Sequence, residues 1–371
     1  MTGVRQSFVF CREADGFDMG KSEEDKWVAP PPGSFFSSTH TRSVTKVYTE
    51  GSKFPDTFAY GQLSGSWEWT FLMDYDYLEP LLLAFEGEGG GEDVSSGVFE
   101  FTKANNRRVP SFCVRGKILN RITDGAWESE LKDETYILTG CVVKTIRFSK
   151  SAGASQVQVS MSGFYANEHM DLGNLDSTDY VEYEGHLVEF QCMFAGNEYV
   201  ANTESLSVGV ENTASAIYST CTPIASNFAE GQASLTFGTM CYSNDPTHYK
   251  TRMYSGGRDK TALYPNHKNL GPIPLVALKS YNAEQVSYDE NGRCTVDFDA
   301  AWEKATRTAE FRLTGVAIKG LTRQKGDGSK LQDQINSTDI LKIVLAVKSP
   351  AYTALKLTSR SDVWSKGPHT I

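Results

Sequence analysis

Residues 156–163 read QVQVSMSG. Val157, Val159 and Met161 fall on alternate positions, with Gln156, Gln158, Ser160 and Ser162 between them. Successive side chains of a strand point to opposite faces, so this segment reads as a strand with one face in a core and the other in water. The same period recurs. Trp67, Trp69, Phe71 and Met73 interleave with Ser66, Glu68 and Thr70, and Leu206, Val208 and Val210 with Ser205, Ser207 and Gly209. Leu341, Ile343, Leu345 and Val347 form a fourth apolar row, alternating with Lys342 and Lys348. Turn-rich stretches, SKSAGAS before Gln156 and YDENGRC before Thr295, part these runs at hairpin-like spacing.

Helical signals are few. In 76–85, DYLEPLLLAF, Asp76 is placed to cap a helix whose stripe is Leu78, Leu81, Leu82 and Phe85, with Gly87 as its stop. A second short helix is expected after Asn244, Asp245 and Pro246, ending at Gly256 and Gly257. The fold class is all-β, with one short helix in each half.

The chain also repeats itself. Shifted by 170, FAYGQ at 58–62 falls on FAEGQ at 228–232; without a gap Tyr48 falls on Tyr218 and Trp67 on Phe237. LTGCVVK at 138–144 matches LTGVAIK at 313–319 at a shift of 175. Strand, turn, strand, helix and later strand recur in one order. The shared glycines Gly61, Gly231, Gly140 and Gly315 are the candidate repeat turns, where a positive φ or a tight approach is needed. The reading is an N-terminal arm (1–29) with a stiff spacer at 29–33, then two tandem β-sandwich domains, 30–185 and 186–371.

Composition excludes several classes. Of 371 residues 40% are hydrophobic and 12% aromatic, which suits packed domains and not disorder. No apolar run is long enough to span a bilayer as a helix, and the N-terminal segment has no charged-then-apolar leader pattern, so residence in a cytosol is expected. The seven cysteines are scattered without a C-x-x-C and read as small buried hydrophobes in a reducing compartment. A net charge of −10 argues against tight binding to phosphate backbones.

Catalytic patterns are missing. The six histidines are solitary, and no HExxH, GxSxG, Walker lysine or helix-opening GxGxxG occurs. The glycine-rich 87–91 is ringed by Glu86, Glu88, Glu92 and Asp93, which would repel a phosphate. Asp297 and Asp299 alternate with Val296 and Phe298 as on a solvated strand, and the Trp67/Trp69 pair suits a core better than a sugar platform. The expectation is a non-enzyme without metal or cofactor.

Longer segments carry a resemblance. VTKVYTEGSKFPDTFAYGQLSGSWEWTFLMDYDYLEPLLLAFEG at 44–87 and ESLSVGVENTASAIYSTCTPIASNFAEGQASLTFGTMCYSND at 204–245 resemble the paired strands of tail tube proteins of siphovirus-type bacteriophages. YILTGCVVKTIRFS with QVQVSMSGFYA, and FRLTGVAIKGLTRQ with ILKIVLAVKSPAY, resemble the hairpin that closes each such domain. The resemblance implies a structural virion protein of the phage tail, assembled in the host cytoplasm and stacked as rings into a tube through which DNA is ejected. Six domains per ring would make three two-domain chains a pseudo-sixfold trimer. Implied partners are other copies of the chain and the tape measure, terminator and tip proteins; double-stranded DNA passes without specific binding, and no membrane is entered.

Gln156, Gln158, Ser160 and Ser162 are a candidate lumen face, polar and free of basic groups, with an ordinary solvent face as the alternative. The segments 86–108 and 320–339 read as long loops, and Glu88, Asp93, Lys325, Asp327 and Lys330 on them are candidates for contacts between stacked rings. Two further readings stay open: another tail part such as a terminator or distal tail protein, and a carbohydrate-binding or hydrolytic β-sandwich.

Overall fold

The computed structural model describes residues 5–13, 17–18, 27–51, 53–85, 98–102, 110–121, 131–151, 153–171, 180–181, 183, 185, 191–195, 203–229, 231, 233–242, 273–282, 298–316, 320–325, 331–337, 340 and 342–350. Among these the chain begins with strands β1 (Arg5–Arg12), β2 (Trp27–Val28), β3 (Phe35–Val47) and β4 (Thr57–Leu72). Helix α1 (Glu79–Phe85) follows, then β5 (Val98–Thr102), β6 (Ser111–Arg121), β7 (Leu131–Ser151), β8 (Gln158–Tyr165), β9 (Asn167–Asp171) and β10 (Tyr180–Val181). The later strands are β11 (Gln191–Ala195), β12 (Thr203–Asn212), β13 (Ser215–Tyr218), β14 (Ala225–Ala229), β15 (Ala233–Tyr242) and β16 (Ile273–Asn282). After helix α2 (Phe298–Lys304) come β17 (Thr308–Val316), β18 (Gly320–Lys325), β19 (Leu331–Ser337) and β20 (Lys342–Lys348). The described chain is mainly β, as the alternation requires.

The apolar rows are the core. Trp67, Trp69, Phe71 and Met73 are all buried, as are Val157, Val159 and Met161. In the first half the β3–β4 face packs on β1 and β6. Trp69 meets Phe8 edge-on at 5.3 Å and Phe10 at 5.0 Å, and Trp67 meets Phe112 edge-on at 5.2 Å. Offset and edge-to-face rings gain from their quadrupoles beyond the area they bury. Trp67 Nε1 also donates to the Phe164 carbonyl at 3.0 Å, which satisfies its one polar atom. β7 joins the layers. Its first part pairs with β6 and β9, its later part with β8 and β12. Between them Gly140 turns at φ 64°, where an L side chain is strained.

The internal repeat reappears as strand register. β3 and β4 set Ser37 opposite Glu68 and Arg42 opposite Leu63, slip by one residue, and resume at Val44 opposite Tyr60, with Thr45 opposite Ala59 next. A shift of 170 carries these pairs onto Ser207–Gly238, Asn212–Ala233 and Ser215–Ala229, all of which are paired. The slip is where the second half breaks into β12/β15 and β13/β14. On the other side, Thr135–Asp171 and Thr139–Asn167 of β7/β9 move by 175 onto Glu310–Ala346 and Thr314–Lys342 of β17/β20. Thr145–Ser162 of β7/β8 corresponds to Gly320–Asn336 of β18/β19, and Leu72–Gln158 of β4/β8 to Tyr242–Gln332 of β15/β19. Likewise β6 lies between β1 and β7, and β16 between β11 and β17. Gly315, the counterpart of Gly140, has φ 65°.

Several expectations are corrected. Gly61 does not turn the chain between strands; it sits inside β4. A Cβ there would overlap the Ser43 hydroxyl, and one at Gly231 the Thr213 hydroxyl, so tight approach is the constraint at both, on partners again 170 apart. Asp299 belongs to helix α2, not to an alternating strand. The segment 320–339 is no open loop, since β18 and β19 pair through it, and 86–108 contains β5, which pairs with β20. Part of the expected arm is sheet: β1 pairs with β6 from Arg5–Leu119 to Arg12–Phe112. The helix expected after Asn244 lies outside the described residues.

Candidate assembly surface

The strands β3, β4, β8, β7, β12 and β15 are hydrogen-bonded side by side, so one sheet passes from the first half into the second. One face of it is buried: Phe36, Trp67, Trp69, Met161, Ile146, Phe148, Leu206, Val208 and Phe237. The opposite face is a ladder of small polar residues. Thr39 is opposite Ser66, Thr70 opposite Ser160, Ser160 opposite Arg147, Arg147 opposite Gly209, and Gly209 opposite Thr236. Glu68, Arg147 and Glu211 are the charges on these rows, all exposed. Gln158, Ser160 and Ser162 thus belong to a face far wider than one strand, whereas Gln156 lies just before β8. By register their counterparts in β19 are Gln332, Gln334 and Asn336. The sequence patterns of β3, β7 and β15 carried the same signal but showed no partner strand.

Of the candidate stacking residues, Lys325 ends β18 and therefore belongs to a strand. Deleting 325–334 would remove sheet, because β19 pairs with β15 over these positions. Glu88, Asp93, Asp327 and Lys330 lie outside the described residues.

A buried polar cluster, unanticipated from the sequence, joins the halves. Asp76, read from the sequence as a helix cap, lies three residues before the first residue of α1 and binds across to the second half. Its carboxylate takes Arg307 Nε at 2.9 and 3.1 Å and Arg307 Nη2 at 2.9 Å, and the Ser349 hydroxyl donates to it as well. Nearby, the Tyr75 and Ser280 hydroxyls are 2.6 Å apart. The wholly buried Gln191 donates to the Met73 carbonyl and accepts from the Val157 amide, both at 2.7 Å. Asp74 accepts from the Tyr183 hydroxyl, and burial, then this bond and the Asp74 charge, push that phenol far above its ordinary pKa. Buried polar groups of this kind hold one arrangement because leaving any of them unpaired is costly.

The N-terminal segment is tied by Glu13, whose carboxylate accepts the Gly140 amide at 2.7 Å and the Asp18 amide at 2.9 Å. That bond explains how the positive-φ kink of β7 is held.

Among the described residues no group of three His, Cys, Asp or Glu is placed to hold a metal ion. His40 is exposed, with Nδ1 3.5 Å from Glu168. Cys11, Cys113 and Cys141 are buried and free, and Cys221 is exposed. Burial, with the Glu13 and Asp18 charges, raises the Cys141 thiol, and hydrogen bonding to Cys11 with burial raises Cys113, so neither is a ready nucleophile. No described helix is long and apolar enough to cross a membrane. Searched against models of known protein families and against curated proteins, the sequence matches none of them.

Proposed function

We propose that this chain is a structural, self-assembling protein of the bacteriophage tail-tube type, not an enzyme. In this reading 30–185 and 186–371 are two tandem β-sandwich domains, and three chains side by side make a pseudo-sixfold ring. Rings stack into a tube through which double-stranded DNA leaves the virion, with tape measure, terminator and tip proteins as tail partners.

The observation that carries the reading is the continuous sheet. Its strand pattern is built twice in register, its inner face is core, and its other face is hydroxyl, amide and glycine with few charges. Such a face suits a conduit. It offers water-like hydrogen bonding to a passing duplex, and its exposed Arg147 is outnumbered by Glu68 and Glu211, so few basic groups are there to release counterions and grip phosphate. The net charge of −10 works in the same direction. Curving the sheet until it closes would also remove its edges, which otherwise template aggregation.

Negative-stain electron microscopy of concentrated protein tests it. Hollow rings of three chains, stacking into tubes, are expected. A chain that stays monomeric up to millimolar concentration overturns the reading, and rings of six whole chains overturn the trimer.

A further inference from the structure

A strand of the second half joins a strand of the first, and the repeat shows where the counterpart edges carry no partner among the described residues. Within the chain β12 lies antiparallel on the later part of β7, from Ser205 opposite Ser151 to Glu211 opposite Thr145. The counterpart of β12 in the first half is β3, and the counterpart of that part of β7 in the second half is β18. Among the described residues β3 pairs with β4 alone and β18 with β19 alone. Each therefore offers the edge that its counterpart uses, and the two edges are complementary: one end of the sheet is shaped as the receiver of the other.

A second contact accompanies the internal joint. The β13–β14 hairpin leans back onto the first half. Tyr218 Oη donates to the Leu63 carbonyl at 3.1 Å, and the Leu63 amide donates to the Pro223 carbonyl at 2.9 Å. Phe228 seats its ring 5.2 Å from Phe17 and 6.1 Å from Phe164. Phe228 is 5% exposed and Ala214 6%, whereas their counterparts on the β3–β4 hairpin, Phe58 and Val44, are each 49% exposed. Tyr48, the counterpart of Tyr218, is 52% exposed. The same fold positions are covered where a preceding half exists and bare where none does. Exposed apolar groups clustered on one hairpin mark an interaction surface.

We infer that β3 of one chain adds antiparallel to β18 of a second copy, Ser38 opposite Arg323, while its β3–β4 hairpin packs Phe58 onto that copy. The register follows from the internal joint: Phe36 meets Lys325, Ser38 meets Arg323 and Thr41 meets Gly320, as Leu206 meets Lys150, Val208 meets Phe148 and Glu211 meets Thr145. The contact is head-to-tail, so it closes a ring if the rotation per half divides the circle and otherwise winds a filament. Main-chain pairing supplies adhesion and the hairpin supplies direction. The inference rests on the self-assembly reading above and specifies its seam.

Two chains with one introduced cysteine each test it, Ser38→Cys and Arg323→Cys, both with Cys192, Cys221, Cys241 and Cys294 replaced by serine and the buried Cys11, Cys113 and Cys141 kept, mixed and oxidised. Cα atoms of directly opposed antiparallel residues lie within disulfide reach. A covalent dimer that forms in the mixture and in neither chain alone is expected. Pairing Ser38→Cys with Gln324→Cys moves the thiol to the other face of the sheet and should give no more dimer than the single chains. Assemblies seen by light scattering without the Ser38–Arg323 link, or equal linking in both mixtures, overturn the seam and leave the assembly reading standing. Monomer at every concentration overturns both. Phe58→Asp, with unchanged circular dichroism and melting, should raise the concentration for half-assembly on the order of tenfold to a hundredfold. An unchanged assembly concentration refutes the role of the hairpin.

Discussion

Replacing Arg307 by alanine should loosen the hold of one half of the chain on the other. Asp76 precedes α1 in the first half; Arg307 precedes β17 in the second. The guanidinium makes three contacts of 2.9 to 3.1 Å with the carboxylate, whose side chain is 7% exposed, while that of Arg307 is 23% exposed. Removing one partner of a buried pair costs about 3–5 kcal/mol, because the remaining charge is stranded. Partial exposure of Arg307 and the bond kept by Ser349 bring the expected loss to about 2–3 kcal/mol. Urea unfolding followed by tryptophan fluorescence measures it. Asp76→Asn and the double variant complete a cycle, and the coupling should be about 2 kcal/mol. A loss below about 0.5 kcal/mol for Arg307→Ala, or strictly additive variants, would refute the claim that this pair latches the halves.

Other expectations concern single positions. Gly163→Ala would drive a Cβ into the Val142 carbonyl on the neighbouring strand, where no rotamer gives relief, and should cost about 2–3 kcal/mol in thermal unfolding. Gly153→Ala has open space and only its φ of 87° to strain, so about 1–2 kcal/mol is expected there. Gln191→Leu strands the Met73 carbonyl and the Val157 amide, and a loss of about 3 kcal/mol should appear with faster hydrogen exchange at Val157. In the β3–β4 hairpin, Asp56 accepts from the Thr49 hydroxyl and amide, both at 2.5 Å, and these bonds lower its pKa. Their support is full above the ordinary carboxylate value of about 3.9 and fades as pH falls through the lowered folded value, so the Thr49 amide should exchange faster only in acid. Protection that stays unchanged as the chain is titrated into acid would count against that bond.

Much of the fold was legible because alternation is a local property. Trp67, Trp69, Val157, Val159, Met161, Leu206 and Val208 announce their buried faces within a few residues of sequence, and the fold buries each of them. The repeat was legible too, since a shift of 170 aligns side chains that later prove to share register. Segments 320–325 and 331–337 misled because their many polar residues, glutamines above all, imitate a loop, while the pairing of β19 with β15 is non-local. Phe298–Lys304 misled in the opposite sense: two alternating acids imitate a strand, and helix α2 forms there. That Asp76 also binds Arg307 had no local sign, because that partner is 231 residues away in sequence.

By itself, then, the amino-acid order determined strand-rich layers, which residues face inward, and that the pattern occurs twice. Those are consequences of side-chain period and of repeated spacing, both written in neighbouring residues. Tertiary structure alone decided that β12 of the second half lies on β7 of the first, that Arg307 reaches Asp76, and that among the described residues β3 pairs only with β4 and β18 only with β19. Backbone hydrogen bonds carry no residue code, so a strand does not name its neighbour; only the meeting of distant segments in space does.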